Sequence, residues 1–293
     1  MLVTGAPPDW TTVDVVVPRR SHRLPGISMA GFRRRVPTPV GIDMVAHPAV
    51  TVLIDLSEGE GVVCDSRGRY ERGSVVIGLV PGDLRAGGRV GECLQIRLDP
   101  DVAAAVLDAA PDLSGTMASL ADVWGRGAGR VEDRLRAAAS WEERFTIAAE
   151  VVGERLCARA RVEPEVVHTW RRMRASRGRV HVEGLAGEVG WDRKRLWSRF
   201  RAQLGIGPKR AARLVRFDHA GRLLAAGHAA AGVAVESGYV DQSHLHREVK
   251  AFTGLTPSGV AVAPWLAIDD VAWPASSPTR GLATAGRHIV GRR

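Results

Sequence analysis

Short apolar runs separated by Gly, Pro and Asp occupy the first hundred residues. They are VDVVV at 13–17, VTVLIDL at 50–56, GVVCD at 61–65, SVVIGLV at 74–80 and CLQIRL at 93–98. Their β-branched content and their punctuation predict strands of a mostly antiparallel sheet. The period then changes. Asp99 and Pro100 form a helix-entry signal, and 101–109 reads as a helix. Helices are also expected over 120–124 and 131–138. A longer amphipathic helix is expected from Trp141 to Arg159, where Phe145, Ala148, Val152 and Leu156 recur at helical spacing. Strands are expected to end near residue 110, with helices from there to about 261. Glu163 and Pro164 mark the boundary between the two parts. Beyond Pro264 no period is sustained, so 263–293 reads as a disordered tail. The pattern describes an α+β chain with a strand-rich part over 1–162 and an all-helical part over 163–262.

The helical part contains an internal repeat. Residues 185–208 read LAGEVGWDRKRLWSRFRAQLGIGP and residues 233–257 read VAVESGYVDQSHLHREVKAFTGLTP. Leu196 and Leu245, Phe200 and Val249, Gly205 and Gly254, and Pro208 and Pro257 match at an offset of 49. Upstream, Leu185 and Val233, Ala186 and Ala234, and Gly190 and Gly238 match at 48, so the second turn is one residue longer. Each copy is a short apolar helix, a glycine turn, an aspartate, a second amphipathic helix and a Gly-x-x-Pro exit. That order is the helix-turn-helix pattern. Gly190 and Gly238 allow the positive φ that ends the first helix. Asp192 and Asp241 are placed to cap the second.

Projected at about 100° per residue, the second helix of each copy has two faces. In the first copy Leu196, Phe200 and Leu204 form the stripe to be buried. Lys194, Ser198 and Arg201 stand opposite, with Trp197 on the flank. In the second copy the stripe is Leu245, Val249 and Phe252. Ser243, Arg247 and Lys250 stand opposite, with His246 on the flank and Gln242 at the entrance. Arg and Lys pair with guanine, Gln pairs with adenine, and the remaining basic groups hold phosphates, so these faces suit a major groove. Between the copies, 209–225 reads as a helical linker of about 26 Å at about 1.5 Å per residue. That length suits recognition helices in successive major grooves, which lie about 34 Å apart.

Charge sharpens this reading. The chain carries a net charge of +9. Residues 165–260 hold 17 basic and 8 acidic groups, whereas 1–164 hold 20 and 22. The excess therefore falls on the stretch that contains both repeats, which suggests an acidic partner, either nucleic acid or an anionic membrane surface.

The run GYVDQSHLHREVKAFTGLTPS at 238–258 resembles the second helix-turn-helix of the AraC/XylS family of bacterial transcriptional regulators. The first copy, followed by Arg216, Ala220, Leu223 and Leu224, resembles the family's first unit. The likeness covers about 165–260. By resemblance, Lys194, Trp197 and Ser198 take base-contacting positions in the first helix, and Gln242, Ser243, His246 and Arg247 take them in the second. Val249 departs from the family's usual Phe, and Ser198 stands where many members have Arg. The resemblance implies an effector-responsive activator located in the cytoplasm on the nucleoid. Its implied partners are double-stranded DNA, RNA polymerase, a small-molecule effector and a second copy in a homodimer. It also implies a cupin-like β-barrel or sandwich, serving as sensor or dimerisation module, before the reader.

No chemistry competes with this reading at the level of sequence. Cys64, Cys93 and Cys157 are scattered, and Cys64 and Cys93 read as small strand residues. His22 and His47 form no HxH pair. His244 and His246 do, but on a helix they diverge by about 200° and cannot share a metal. No metal, cofactor or catalytic residue is expected. The sequence Gly78–Asp83 reads as a hairpin turn. Trp124, Trp141 and Trp170 read as packing anchors. The N-terminus lacks a signal-peptide pattern, and no apolar run reaches membrane-spanning length. The alternative is a cupin-type enzyme or small-molecule binder in the N-terminal part, with the reader as an accessory.

Overall fold

The computed structural model describes residues 12–19, 24–34, 39–57, 61–65, 67–79, 84–89, 91–107, 113–157, 162–263 and 269–273. Two antiparallel sheets form the N-terminal part. The larger has six strands in the order β1 (Val13–Val16), β2 (Ile27–Arg34), β9 (Glu92–Leu98), β4 (Val50–Asp55), β7 (Val75–Ile77) and β10 (Met117–Ser119). The smaller has β3 (Pro39–Asp43), β8 (Arg85–Arg89), β5 (Gly61–Cys64) and β6 (Tyr70–Arg72). Val63 of β5 packs with Val75 and Ile77 of β7 and Met117 of β10, so the sheets face each other over a shared apolar layer. Central β4 and β9 pair from Val50 with Leu98 to Asp55 with Cys93. Along β9, Leu94, Ile96 and Leu98 are buried while their neighbours are half-buried, the period of two that one covered face imposes.

All five expected strands form, and the sheets are antiparallel throughout the described residues. The sequence pattern missed β2, β3, β6, β8 and β10. Strand structure also runs past residue 110, because β10 pairs with β7. The missed β2 is central, paired with both β1 and β9. Its Ala30 and Gly31 give no strand signal. Gly31 instead leaves room for the Trp141 ring, which lies against the strand. The turn at Pro81, Gly82 and Asp83, and His22, lie outside the described residues.

Helices α1 (Pro100–Val106), α2 (Leu120–Trp124), α3 (Gly127–Ala137) and α4 (Trp141–Cys157) cover the sheets. Trp124 is buried and Trp141 is partly buried against the core, as packing anchors. The reader part follows with α5 (Pro164–Ala175), α6 (Val182–Glu188), α7 (Arg193–Leu204), α8 (Pro208–Ala225), α9 (Ala230–Glu236), α10 (Gln242–Thr253) and α11 (Pro257–Ala261). Buried Trp170 of α5 anchors it. One continuous apolar core runs through both parts.

The linker helix α8 is more than a spacer. Ala211, Leu214, Val215, Phe217, Ala220, Leu223 and Leu224 are all buried, more than one stripe of the helix. It packs on α5, α7, α9, α10 and α11, and is the core element of the reader. The tail is also corrected in part. Asp269–Ala272 form α12, packed on β1, and Ala272 and Trp273 are buried with Ala30.

Gly31 supplies a test of this packing. A methyl group there would fall within the Trp141 indole. Gly31→Ala should destabilise the chain by about 1–3 kcal/mol, the usual cost of overpacking, read as a lower midpoint in urea unfolding. An unchanged midpoint would show that Trp141 does not seat against β2.

Candidate nucleic-acid interface

Each reader unit is built by the same local signals. In the first, α6 ends at Gly190, whose φ of 68° lies in the left-handed region. In the second, α9 ends at Gly238, with φ of 74°. The Asp192 carboxylate then accepts the Arg195 amide at 2.7 Å and caps α7. The Asp241 carboxylate accepts the His244 amide at 2.6 Å and caps α10. Both helices stop at glycines in the left-handed region, Gly205 and Gly254. Pro208 and Pro257 then open the next helices at their first position.

Burial divides each second helix as its period requires. Leu196, Phe200 and Leu204 are buried on α7, and Leu245, Val249 and Phe252 on α10. Val249, in place of a larger aromatic, is fully enclosed. Lys194, Trp197, Ser198 and Arg201 are exposed on α7, and Gln242, Ser243, His246, Arg247 and Lys250 on α10. The nine residues thus gather on two solvent-facing helix surfaces. Trp197 is half-exposed, and the Arg201 guanidinium lies 5.3 Å from its ring centroid. The ring therefore presents an apolar plane beside a cation.

The first helix is held from behind by Glu163, the residue that precedes α5. Its carboxylate accepts Arg199 Nε at 2.8 Å and Gln203 Nε2 at 2.6 Å, and its own amide donates to Gln203 Oε1 at 2.8 Å. The Arg199 hydrogen bond holds this carboxyl below the usual carboxylate range. Arg199 is therefore committed to the protein although it sits one residue from Ser198. On α5, Arg172 and His168 both bond Glu188 of α6, pulling that exposed carboxyl down to about 2, with Arg172 the main cause.

Sequence reasoning missed Glu248. It lies on α10 between exposed Arg247 and Val249, in a run that reads as charged surface. Yet its side chain is only 1% exposed. It accepts Arg213 Nε at 2.7 Å, the Arg216 guanidinium at 3.3 Å and the Tyr239 hydroxyl at 2.9 Å. Burial, followed by the Glu248 charge, pushes the Tyr239 phenol above its ordinary range, so it remains a donor. Phe252 stacks on Phe217 of α8 with ring centroids 4.8 Å apart. Together these contacts fix α10 to α8. The only advance signal was an acid one helical turn before the apolar Phe252, and it does not distinguish a buried group from a solvated one.

The described residues hold no cluster of three or more His, Cys, Asp or Glu that could bind a metal. No helix among them is long and apolar enough to cross a membrane. Cys93 is half-buried, and burial, then Asp55 and Glu92, push its thiol up to about 12. It is not a nucleophile near neutral pH.

Because Glu248 is buried with two cations, removing its charge should be felt. Glu248→Gln should cost about 3 kcal/mol, the lower end for a broken buried pair, since both guanidinium groups retain some solvent. Urea unfolding at pH 7 measures it. Wild-type stability in this variant would mean that the network does not hold α10.

Comparison with known proteins locates the same residues. Residues 185–261 match the family model described as a helix-turn-helix domain. No curated protein sequence matches the chain. Among solved structures, ToxT from Vibrio cholerae O395 aligns with 82% of this chain and 98% of its own, at 10% identity and a TM-score of 0.46. The C-terminal domain of AraT, a response regulator from Geobacillus stearothermophilus, aligns with 35% of this chain and 87% of its own, at 20% identity and 0.33. The AraC-like transcriptional activator CuxR aligns with 69% and 84%, at 14% identity and 0.28. Motif, capped repeats and family model coincide on one segment, and residues 185–261 carry a helix-turn-helix domain.

Proposed function

We propose that the chain binds duplex DNA at specific sites through α7 and α10 and sets promoter occupancy in response to a small molecule held by its N-terminal part. The observation that carries this reading is the pairing of two capped helices, each with an exposed polar face, on the segment holding the whole charge excess. An 18-residue α8 joins the two units. At about 1.5 Å per residue it is about 27 Å long, which suits successive turns of B-form DNA. In this reading, Gln242 and Ser243 approach base edges from the entrance of α10. Arg247, Lys250, Lys194 and Arg201 supply guanine or phosphate contacts, and Trp197, Ser198 and His246 add flanking contacts. The proposed division is a sensor or dimerisation part over 1–162, the reader over 163–262, and a C-terminal segment after it. Homodimerisation through the N-terminal part and contact with RNA polymerase belong to the same proposal, as does a cytoplasmic, nucleoid-associated location. No enzymatic step is required.

The test is a binding series on selected and scrambled duplexes, with thermal melts to confirm folding. Affinity should fall with salt at a log–log slope near −0.9 per phosphate neutralised. Gln242→Ala should relax preference at one base position by about 1–3 kcal/mol. Arg247→Ala should weaken binding to every duplex and reduce the salt slope by about one if the guanidinium holds a phosphate. If both folded variants keep wild-type affinity and preference, α10 is not the reader.

A further inference from the structure

The two recognition helices differ in the chemistry they expose. At the offset of 49, Trp197 and Ser198 of α7 stand where α10 carries His246 and Arg247. From Gln242 to Lys250, the outer face of α10 thus offers hydrogen-bonding groups at every turn. The face of α7 does not, because the four arginines of that helix already have partners. Arg193 pairs with Glu183 of α6 at 3.0 Å, and Arg199 is held by Glu163. The Arg195 guanidinium lies 4.7 Å from the Trp191 ring centroid, and that of Arg201 lies over Trp197. Gln203 is bonded to Glu163 as well. Toward the helix entrance, where a recognition helix meets base edges, this leaves Lys194, Trp197 and Ser198.

Trp197 is seated as an oriented apolar plane. It is half-exposed, whereas Phe200 and Phe252 of the same two helices are buried. Its ring lies against Gly207, the residue before α8. A Cβ at Gly207 would meet Nε1 at 2.9 Å, Cδ1 at 3.5 Å and Cε2 at 3.7 Å. These three atoms belong to the five-membered ring, so the protein covers the polar edge of the indole. The six-membered edge is the part left to solvent. Arg201 lies over the ring and restricts its rotation. An indole held open to water forgoes the free energy of burial, and docking against an apolar partner restores it.

The major groove presents one apolar group, the C5-methyl of thymine. We propose that α7 reads thymine by packing that methyl on the six-membered edge of Trp197, so that the first half-site is specified by an A·T pair. The second half-site is read by the hydrogen-bonding groups of α10. The two half-sites then differ in kind, and the chain takes a single orientation on DNA although its units are repeats. The proposal rests on the reading of the chain as a sequence-specific DNA-binding protein and names what its first unit recognises.

The test uses the full chain. A duplex is first selected from random sequence, and each thymine in it is then replaced singly by uracil, which lacks only the methyl. At least one replacement, about ten base pairs from the position relaxed by Gln242→Ala, should lower affinity. The loss should be about fourfold, the worth of one methyl withdrawn from apolar contact. Trp197→Ala should weaken binding to the selected duplex and erase that penalty, so that thymine and uracil bind alike there. Trp197→Phe, which keeps an apolar ring, should restore most of it. Gly207→Ala leaves Trp197 in place but fills the seat of its ring. The backbone at Gly207, with φ of −74°, accepts alanine, so this variant should melt like wild type while the ring shifts and the penalty shrinks. The proposal is overturned if no uracil in that half-site lowers affinity, or if the penalty persists in folded Trp197→Ala. A chain that selects no duplex overturns the DNA-binding reading and this proposal with it. A chain that selects a duplex and ignores the methyl overturns the thymine reading alone.

Discussion

Two helices can occupy successive major grooves only if their separation and angle are set in advance, and the buried packing of α8 sets both. Its start is fixed by Pro208, which directly follows the turn that ends α7. Its apolar residues face α5, α7, α9, α10 and α11 together. Rotation of α8 by one residue, about 100°, would expose Phe217 and Leu214 and break the stack with Phe252. The Glu248 network adds direction to this packing. Apolar contact tolerates sliding, whereas a carboxylate shared by Arg213, Arg216 and Tyr239 is satisfied at one register only. The reader therefore behaves as one body with two exposed edges.

The reader was legible because its signals are local. Glycine at a positive φ, aspartate as an N-cap and proline at a first helical position each act within four residues, and each occurs twice at a fixed offset. The helical period then separates buried from exposed faces, so all nine proposed contact residues could be placed outward from sequence alone. The sheets were half legible for the opposite reason. β4 is buried on both faces and β9 on one, and both carry β-branched or long apolar residues. β2 carries Ala30 and Gly31, and β8 reads RAGGR, so both are strands because partners on either side hold them. Strand preference of that kind is a property of the neighbours and not of the segment. Glu248 and Trp273 escaped notice similarly. Each is buried by an element distant in sequence, α8 in one case and the N-terminal sheet in the other.

The junction between the parts is polar where it is open and apolar where it is closed. Arg174 donates to Asp99 and to the Pro48 carbonyl, tying α5 to the entrance of α1 and to the loop before β4. Burial raises the Asp99 carboxyl, and Arg174 offsets part of that cost. Losing the guanidinium would leave a buried acid without its cation, so the ion pair and the domain contact stand or fall together. Nearby, α1 packs on α4, α5 and α7, so the same short helix reaches the second helix of the first repeat.

That contact makes the two reader units unequal. The first unit touches the N-terminal part through α5 and α7, whereas the second is secured to the first chiefly through α8, by α9, α10 and α11. A displacement of α1 acts on α7 directly, at a helix whose rear is also held by Glu163. It reaches α10 only through the rigid body of α8. The two similar helices therefore differ in what holds them. α10 is fixed to α8 by its charge network and aromatic stack. α7 lies between that body and α1 and touches both.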